Sequence, residues 1–227
     1  MSTARSLRAL RTVPLLWLAA ACARDVSAPQ SVPAPVADLA RLDPVPELAY
    51  VGNSGAGFVA VVNVRSMTQV SQIALDGYAT APSVAVAPGG KYLYVVTSSP
   101  PSLQKVDLAT NLVAGVVNLG PGAQPADIAV TPSGHRIFVT QYAGHSVAAI
   151  DAATLTVLAT IPLDDANGIA MGPGGRQVFV ANQGSGRLHV IDVERLEVVA
   201  AIETGPGGLN ELASGVIPCM WNRAAPP

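Results

Sequence analysis

The sequence predicts an all-β fold of about four blades, each of four antiparallel strands, arranged as a β-propeller. Three observations carry it. Tyr50-Val51-Gly52-Asn53, Tyr94-Val95-Val96-Thr97, Phe138-Val139-Thr140-Gln141 and Phe179-Val180-Ala181-Asn182 recur at spacings of 44, 44 and 41 residues. Thirteen residues after each aromatic stands Asn63, Asp107, Asp151 or Asp192. A Pro-x-Gly turn returns at Pro88-Gly89-Gly90, Pro132-Ser133-Gly134 and Pro173-Gly174-Gly175. A four-stranded unit repeated at this period cannot bury both faces alone, so copies must stack on one another around an axis.

Within each copy, short runs of Val, Ile and Ala are bounded by Gly, Pro, Asn or Asp, the pattern of small strands between tight turns. In the third copy the strands are expected at 126–130, 136–141, 146–150 and 154–161. Along the last of these, Leu155, Val157, Ala159 and Ile161 alternate with Thr156, Leu158 and Thr160, and Leu196, Val198, Ala200 and Ile202 repeat the phase in the fourth copy. Period two excludes a helix here.

These repeats resemble the YVTN β-propeller family over residues 48–215: the aromatic-led second strand, the aspartate that follows it and the Pro-x-Gly turn all match. The resemblance implies the fold and says little about activity. Its members are mostly exported bacterial or archaeal envelope proteins, and relatives include propellers joined to redox enzymes and lactonase-like hydrolases. Such propellers commonly have seven blades. The copies here run out of phase, with strands two to four of a first blade at 48–73 and a candidate first strand at 209–213. Pairing those two ends would close a four-bladed ring. The alternative is an open or truncated arc, whose exposed apolar faces would invite self-association.

Ahead of the repeats, Arg5, Arg8 and Arg11 precede an apolar run from Val13 to Ala21, which is broken by Pro14 and too short to span a bilayer. The segment 1–22 reads as a secretory signal peptide. Leu18-Ala19-Ala20-Ala21-Cys22 resembles the lipobox of bacterial lipoproteins, although Leu18 stands one position further from the cysteine than in that family. The resemblance implies acylation at Cys22, and Ala23 after it implies outer-membrane anchoring, facing periplasm or surface. With Cys22 lipidated, Cys219 has no intramolecular partner. Residues 23–47, with Pro29, Pro33, Pro35, Pro44 and Pro46, read as an extended tether, and 216–227 as an irregular tail.

Composition narrows the function. The chain has 227 residues, 50% of them apolar and 12% charged, with a net charge of -2, so no basic field exists for nucleic acid. Three histidines and two cysteines supply few nucleophiles, bases or soft metal ligands. His135 and His145 flank one strand and stand about 20 Å apart at about 3.3 Å per residue, too far to share a metal. His189, between Leu188 and Val190, reads as a strand histidine. Asn63, Asp107, Asp151 and Asp192 recur in every copy and read as turn residues whose side chains accept backbone N–H groups.

The loop-lined face of a propeller usually carries the ligand site. Here it would hold Asp76, Tyr78, Asp164, Asp165 and Asn167, with Tyr142 and Gln183 beside them. Aligning the inner strands on their turns puts Ser83, Asp127, Gly168 and Glu211 at one level, where Asp127 and Glu211 could hold a Ca²⁺ ion through oxygen ligands. No other cofactor and no catalytic set is expected. The resulting expectation is a non-enzymatic, lipid-anchored binding or scaffold protein of the cell envelope, with an unknown protein or small-molecule ligand. The alternatives are a lactonase-like propeller hydrolase and an accessory partner of a periplasmic redox enzyme.

Overall fold

The structure, a computed structural model, describes residues 47–77, 83–205, 207–209 and 212. Fifteen strands run β1 (Leu48–Gly52), β2 (Phe58–Asn63), β3 (Thr68–Ala74), β4 (Val84–Val86), β5 (Tyr92–Ser98), β6 (Pro101–Asp107), β7 (Leu112–Asn118), β8 (Pro125–Val130), β9 (Arg136–Gln141), β10 (Ser146–Asp151), β11 (Val157–Pro162), β12 (Ala166–Met171), β13 (Gln177–Asn182), β14 (Arg187–Asp192) and β15 (Glu197–Glu203). They form antiparallel meanders: β1-β2-β3, then β4 to β7, β8 to β11 and β12 to β15. The first sheet has three strands among the described residues, and each of the other three has four, as the repeat arithmetic predicts.

The last strand of each sheet begins later than alternation suggests. In the third sheet it spans Val157–Pro162 rather than 154–161, because Leu155 lies in the left-handed region at φ 56° and donates its N–H to the carbonyl of Asp151 at 2.9 Å. Met67, Asn111 and Leu196 take the same conformation at the equivalent positions. A bulge follows in the pairing with the third strand, between Ala149 and Ile150 and at the matching place in every sheet. The Pro-x-Gly turns close on glycines that must be left-handed: Gly90, Gly134 and Gly175 have φ of 69°, 73° and 69°. A Cβ on Gly175 would stand 2.7 Å from Cδ of Pro132, so this turn packs on its counterpart in the preceding sheet.

Three buried clusters weld the sheets in sequence. Val59, Val61 and Ile73 of the first sheet meet Leu93, Val95 and Val106 of the second. Tyr94, Leu103 and Val117 of the second meet Ile137, Val139 and Ile150 of the third. Phe138, Val147 and Ile161 of the third meet Val178, Val180 and Ile191 of the fourth. Each fully buried Val, Ile or Phe contributes about 1.5–3 kcal/mol. Among the described residues no such cluster joins the fourth sheet to the first. Leu209, at the start of the candidate closing strand, donates its N–H to the carbonyl of Asn182 in the fourth sheet at 3.2 Å. The rest of that closure rests on residues outside those described. The described residues place the four sheets in series, each packed on the next.

Candidate functional site

The repeated Asn or Asp residues serve the chain reversal between the third and fourth strands of each sheet. Asn63 Oδ1 accepts from the amides of Arg65 and Ser66 at 2.9 and 3.0 Å, and Asp107 from that of Ala109 at 2.8 Å. Asp151 Oδ1 accepts from the amides of Ala153 and Thr154 and from the Thr154 hydroxyl at 2.8–2.9 Å. Asp192 Oδ1 accepts from Glu194 and Arg195 at 2.9 and 2.8 Å. The amide of Thr154 leads in holding the Asp151 carboxyl below its usual range, and the amide of Arg195 does so for Asp192. A short oxygen-bearing side chain at this spacing is what the turn requires.

The inner strands β4, β8 and β12 are joined by Asp127. Its Oδ1 accepts from Ser83 Oγ at 2.6 Å and from its neighbour Ile128 N at 2.8 Å, and its Oδ2 accepts from Ile169 N at 3.0 Å. One carboxylate thereby ties the second, third and fourth sheets together. Thr140 completes the seam: its hydroxyl accepts from Asp127 N at 2.9 Å and donates to the Asn167 carbonyl at 2.6 Å. Ser83 and Asp127 are hydrogen-bonded to one another, while β12 contributes the amide of Ile169, next to Gly168. Glu211 lies outside the described residues. Among the described residues no group of three or more His, Cys, Asp or Glu side chains could hold a metal ion.

At the loop face the expected ligand residues separate. The backbone of Asp76 is gripped by the buried Gln104: Oε1 accepts from Asp76 N at 3.0 Å and Nε2 donates to Asp76 O at 2.6 Å. Tyr142 N bonds Gln124 O and Gln183 N bonds Asp165 O, both at 3.0 Å, so these two connections between sheets are laced to the next hairpin loop. Gln124 and Asp165, equivalent in the repeat, are both left-handed at φ 43° and 49°. Tyr142 is partly exposed, and Asn167 enters through its carbonyl. Tyr78 and Cys22 lie outside the described residues.

Asp164 and Asp165 do share a site, a cleft of about 570 Å³ between the third and fourth sheets. Asn182, Ser185, Arg187 and His189 face them across it. Gly184 leaves room for the Asp165 carboxylate, which a Cβ there would displace. Asn182 Nδ2 donates to the carbonyl of Asp164 at 2.5 Å, and Asp164 stands 3.6 Å from His145 Nδ1 in an exposed pair. Arg187 is held by Glu203 at 2.6 Å. The half-buried His189 has a buried Nδ1 with no hydrogen-bond partner, and burial, with Arg187 adding to it, lowers its pKa, so the ring is neutral near pH 7.

Sequence reasoning assigned His189 no role and missed Gln104. Both occupy one repeat position, 60, 104, 148 and 189, filled by Ala, Gln, Ala and His. Two polar residues at a position otherwise held by alanine were the available signal.

Residues 44–178 match the family model described as the cytochrome D1 heme domain. Among curated proteins none matches. Of solved structures, hydrazine synthase from Kuenenia stuttgartiensis is similar at 21% identity and a TM-score of 0.62, over 70% of this chain and 47% of that one. The Cps50 (Swd1) β-propeller domain from Myceliophteria thermophila is similar at 13% identity and a TM-score of 0.63, over 76% of this chain and 57% of that one. The chain thus spans about half the length of both, and these likenesses establish the propeller fold.

A heme family raises the question of an axial ligand, which proteins supply from His, Cys, Met or Tyr. The inner strands read Val-Ala-Val, Pro-Ala-Asp-Ile-Ala-Val and Ala-Asn-Gly-Ile-Ala-Met. Met171, the one candidate in them, packs against the core between the third and fourth sheets. His135 and His145 are exposed in turns at opposite ends of β9, and His189 lies in the third strand of its sheet. The described residues do not fit an axially ligated heme at the inner strands.

Proposed function

The chain belongs to the cytochrome D1 heme domain family, and from that premise we propose that it is a non-enzymatic binding scaffold, exported and lipid-anchored, that docks on a redox enzyme of the cell envelope through its loop face. The observation that carries this reading is the division of polar groups between the centre and the loop face. Asp127, Thr140 and Ser83 are spent on joining inner strands, whereas the Asp164 carboxylate at the cleft stands exposed and joins no strands, with the half-buried Asp165 beside it. Polar groups that do no structural work at a concave surface are the ones a partner can use.

The redox association is favoured over a hydrolase by the family match and by the fold likeness to hydrazine synthase. Export and anchoring rest on the basic, apolar and lipobox-like segments that end at Cys22, and the YVTN-like landmarks are in keeping with an envelope protein.

A photo-crosslinking amino acid placed at Asp165 in the full chain, in its own host, tests the reading. The expected adduct is a subunit of a redox enzyme, formed from Asp165 and not from Ser133 at the opposite end of the sheets. Equal adducts from both positions, or an adduct with no redox protein, would overturn it.

A further inference from the structure

The three welded seams are built on one pair of repeat positions, and this pair identifies what the two open faces fit. Ile73 and Val95 belong to the buried cluster of the first seam, Val117 and Val139 to that of the second, and Ile161 and Val180 to that of the third. All six are nearly or wholly buried, with exposures between 0% and 5%. The next member of the first series is Ile202, which is 47% exposed, and the preceding member of the second is Val51, which is 46% exposed. Their neighbours follow suit. Phe179 and Leu188 are partly exposed where Phe138 and Val147 are fully buried, and Ala49 and Val62 are partly exposed where Ile137 and Ile150 are fully buried.

We propose that the trailing face of the fourth sheet, centred on Ile202, docks on the leading face of the first sheet, centred on Val51, of a second copy of this chain. The occupant is argued from the molecule's own seams: each exposed face is the repeat equivalent of one that is mated three times elsewhere, with apolar residues at the same positions. Such a contact is heterologous, joining different surfaces of the two copies, and it makes a ring if the rotation closes. Propellers typically carry four to eight blades, so two copies of a four-sheet chain complete a ring within that range and three exceed it. The inference goes beyond the reading of the loop face and does not depend on it.

The test uses the chain purified from expressing cells in mild detergent, with protein mass read by light scattering corrected for detergent. The wild type is expected to run as a dimer. Val51→Lys and Ile202→Glu each change an exposed residue, so unchanged circular dichroism is expected to show both still fold. In a closed two-copy ring either change spoils both contacts, and each variant alone is expected to associate about tenfold more weakly or worse. Mixing the two variants leaves one intact pairing, between the trailing face of the Val51→Lys copy and the leading face of the Ile202→Glu copy, and is expected to restore a heterodimer. A monomeric wild type, whether other residues of the chain cover these faces or nothing does, overturns the proposal. A dimer indifferent to either substitution, or variants that fail to complement, overturns it equally. If Val51→Lys unfolds, Val62→Lys reads the same face with the same expected outcomes.

Discussion

Gln104 holds Asp76 across the seam between the first and second sheets by two hydrogen bonds, its amide oxygen accepting from Asp76 N and its amide nitrogen donating to Asp76 O. A buried side chain thus satisfies the backbone of a connecting loop that has no strand partner there, and it draws on residues 28 apart in sequence. Gln104→Ala is expected to leave both Asp76 groups without that partner and to cost about 2–3 kcal/mol in urea denaturation. Gln104→Glu buries a carboxylate against the Asp76 carbonyl oxygen and is expected to cost at least as much as alanine at neutral pH.

His189 occupies the repeat position of Gln104, beside Asp164, which corresponds to Asp76. The Asp164 carbonyl already accepts from Asn182 Nδ2, so His189→Gln is expected to add its amide oxygen as an acceptor for Asp164 N and to stabilise the fold by about 1 kcal/mol. Burial lowers the His189 pKa, so the unfolded chain takes up a proton that the folded chain refuses. Stability should then be full above the ordinary histidine range and fall as pH drops from about 6.5 toward the lowered value. The same change to Gln should remove this part of the pH dependence of melting. A melting profile equally steep in the variant would contradict it.

Asp127 is expected to be structural at three sheets simultaneously. Asp127→Asn presents an amide nitrogen to at least one of the donors at Ser83 and Ile169, costing about 2 kcal/mol. Thr140→Val, which removes the adjacent hydroxyl at nearly constant volume, should be less than additive with it, because both side chains serve one network. Strict additivity in denaturant melts would show that the two act independently.

Cys22 is expected to carry lipid. Growth with a clickable palmitate analogue should label the wild type and leave Cys22→Ser unlabelled, with the variant recovered in the soluble periplasmic fraction. Equal labelling of both would remove the anchor.

The strands were legible before any coordinates because alternation and turn chemistry act over a few residues. The strand Arg136–Gln141 matches the sequence reading to the residue. The beginnings of the last strands were not, since Leu155 and Leu196 continue the apolar alternation while their backbones are left-handed in the turn. The candidate ligand residues separated for a different reason. Asp76, Asp164 and Asp165 are alike as letters, but Gln104 reaches only the first of them, and only the other two border the cleft.

By itself the sequence determined the repeat, the sheet order and the purpose of the turn aspartates, because each depends on neighbours within one hairpin. Only the tertiary structure decided that Asp127 would bond the amide of Ile169, 42 residues away, that His189 Nδ1 would be left unpaired, and that Val51 and Ile202 would stand half exposed while their equivalents are buried. Those outcomes are set by how closely one sheet approaches the next, and residues in the same place of the repeat then differ in environment solely because a neighbouring sheet covers one and not the other.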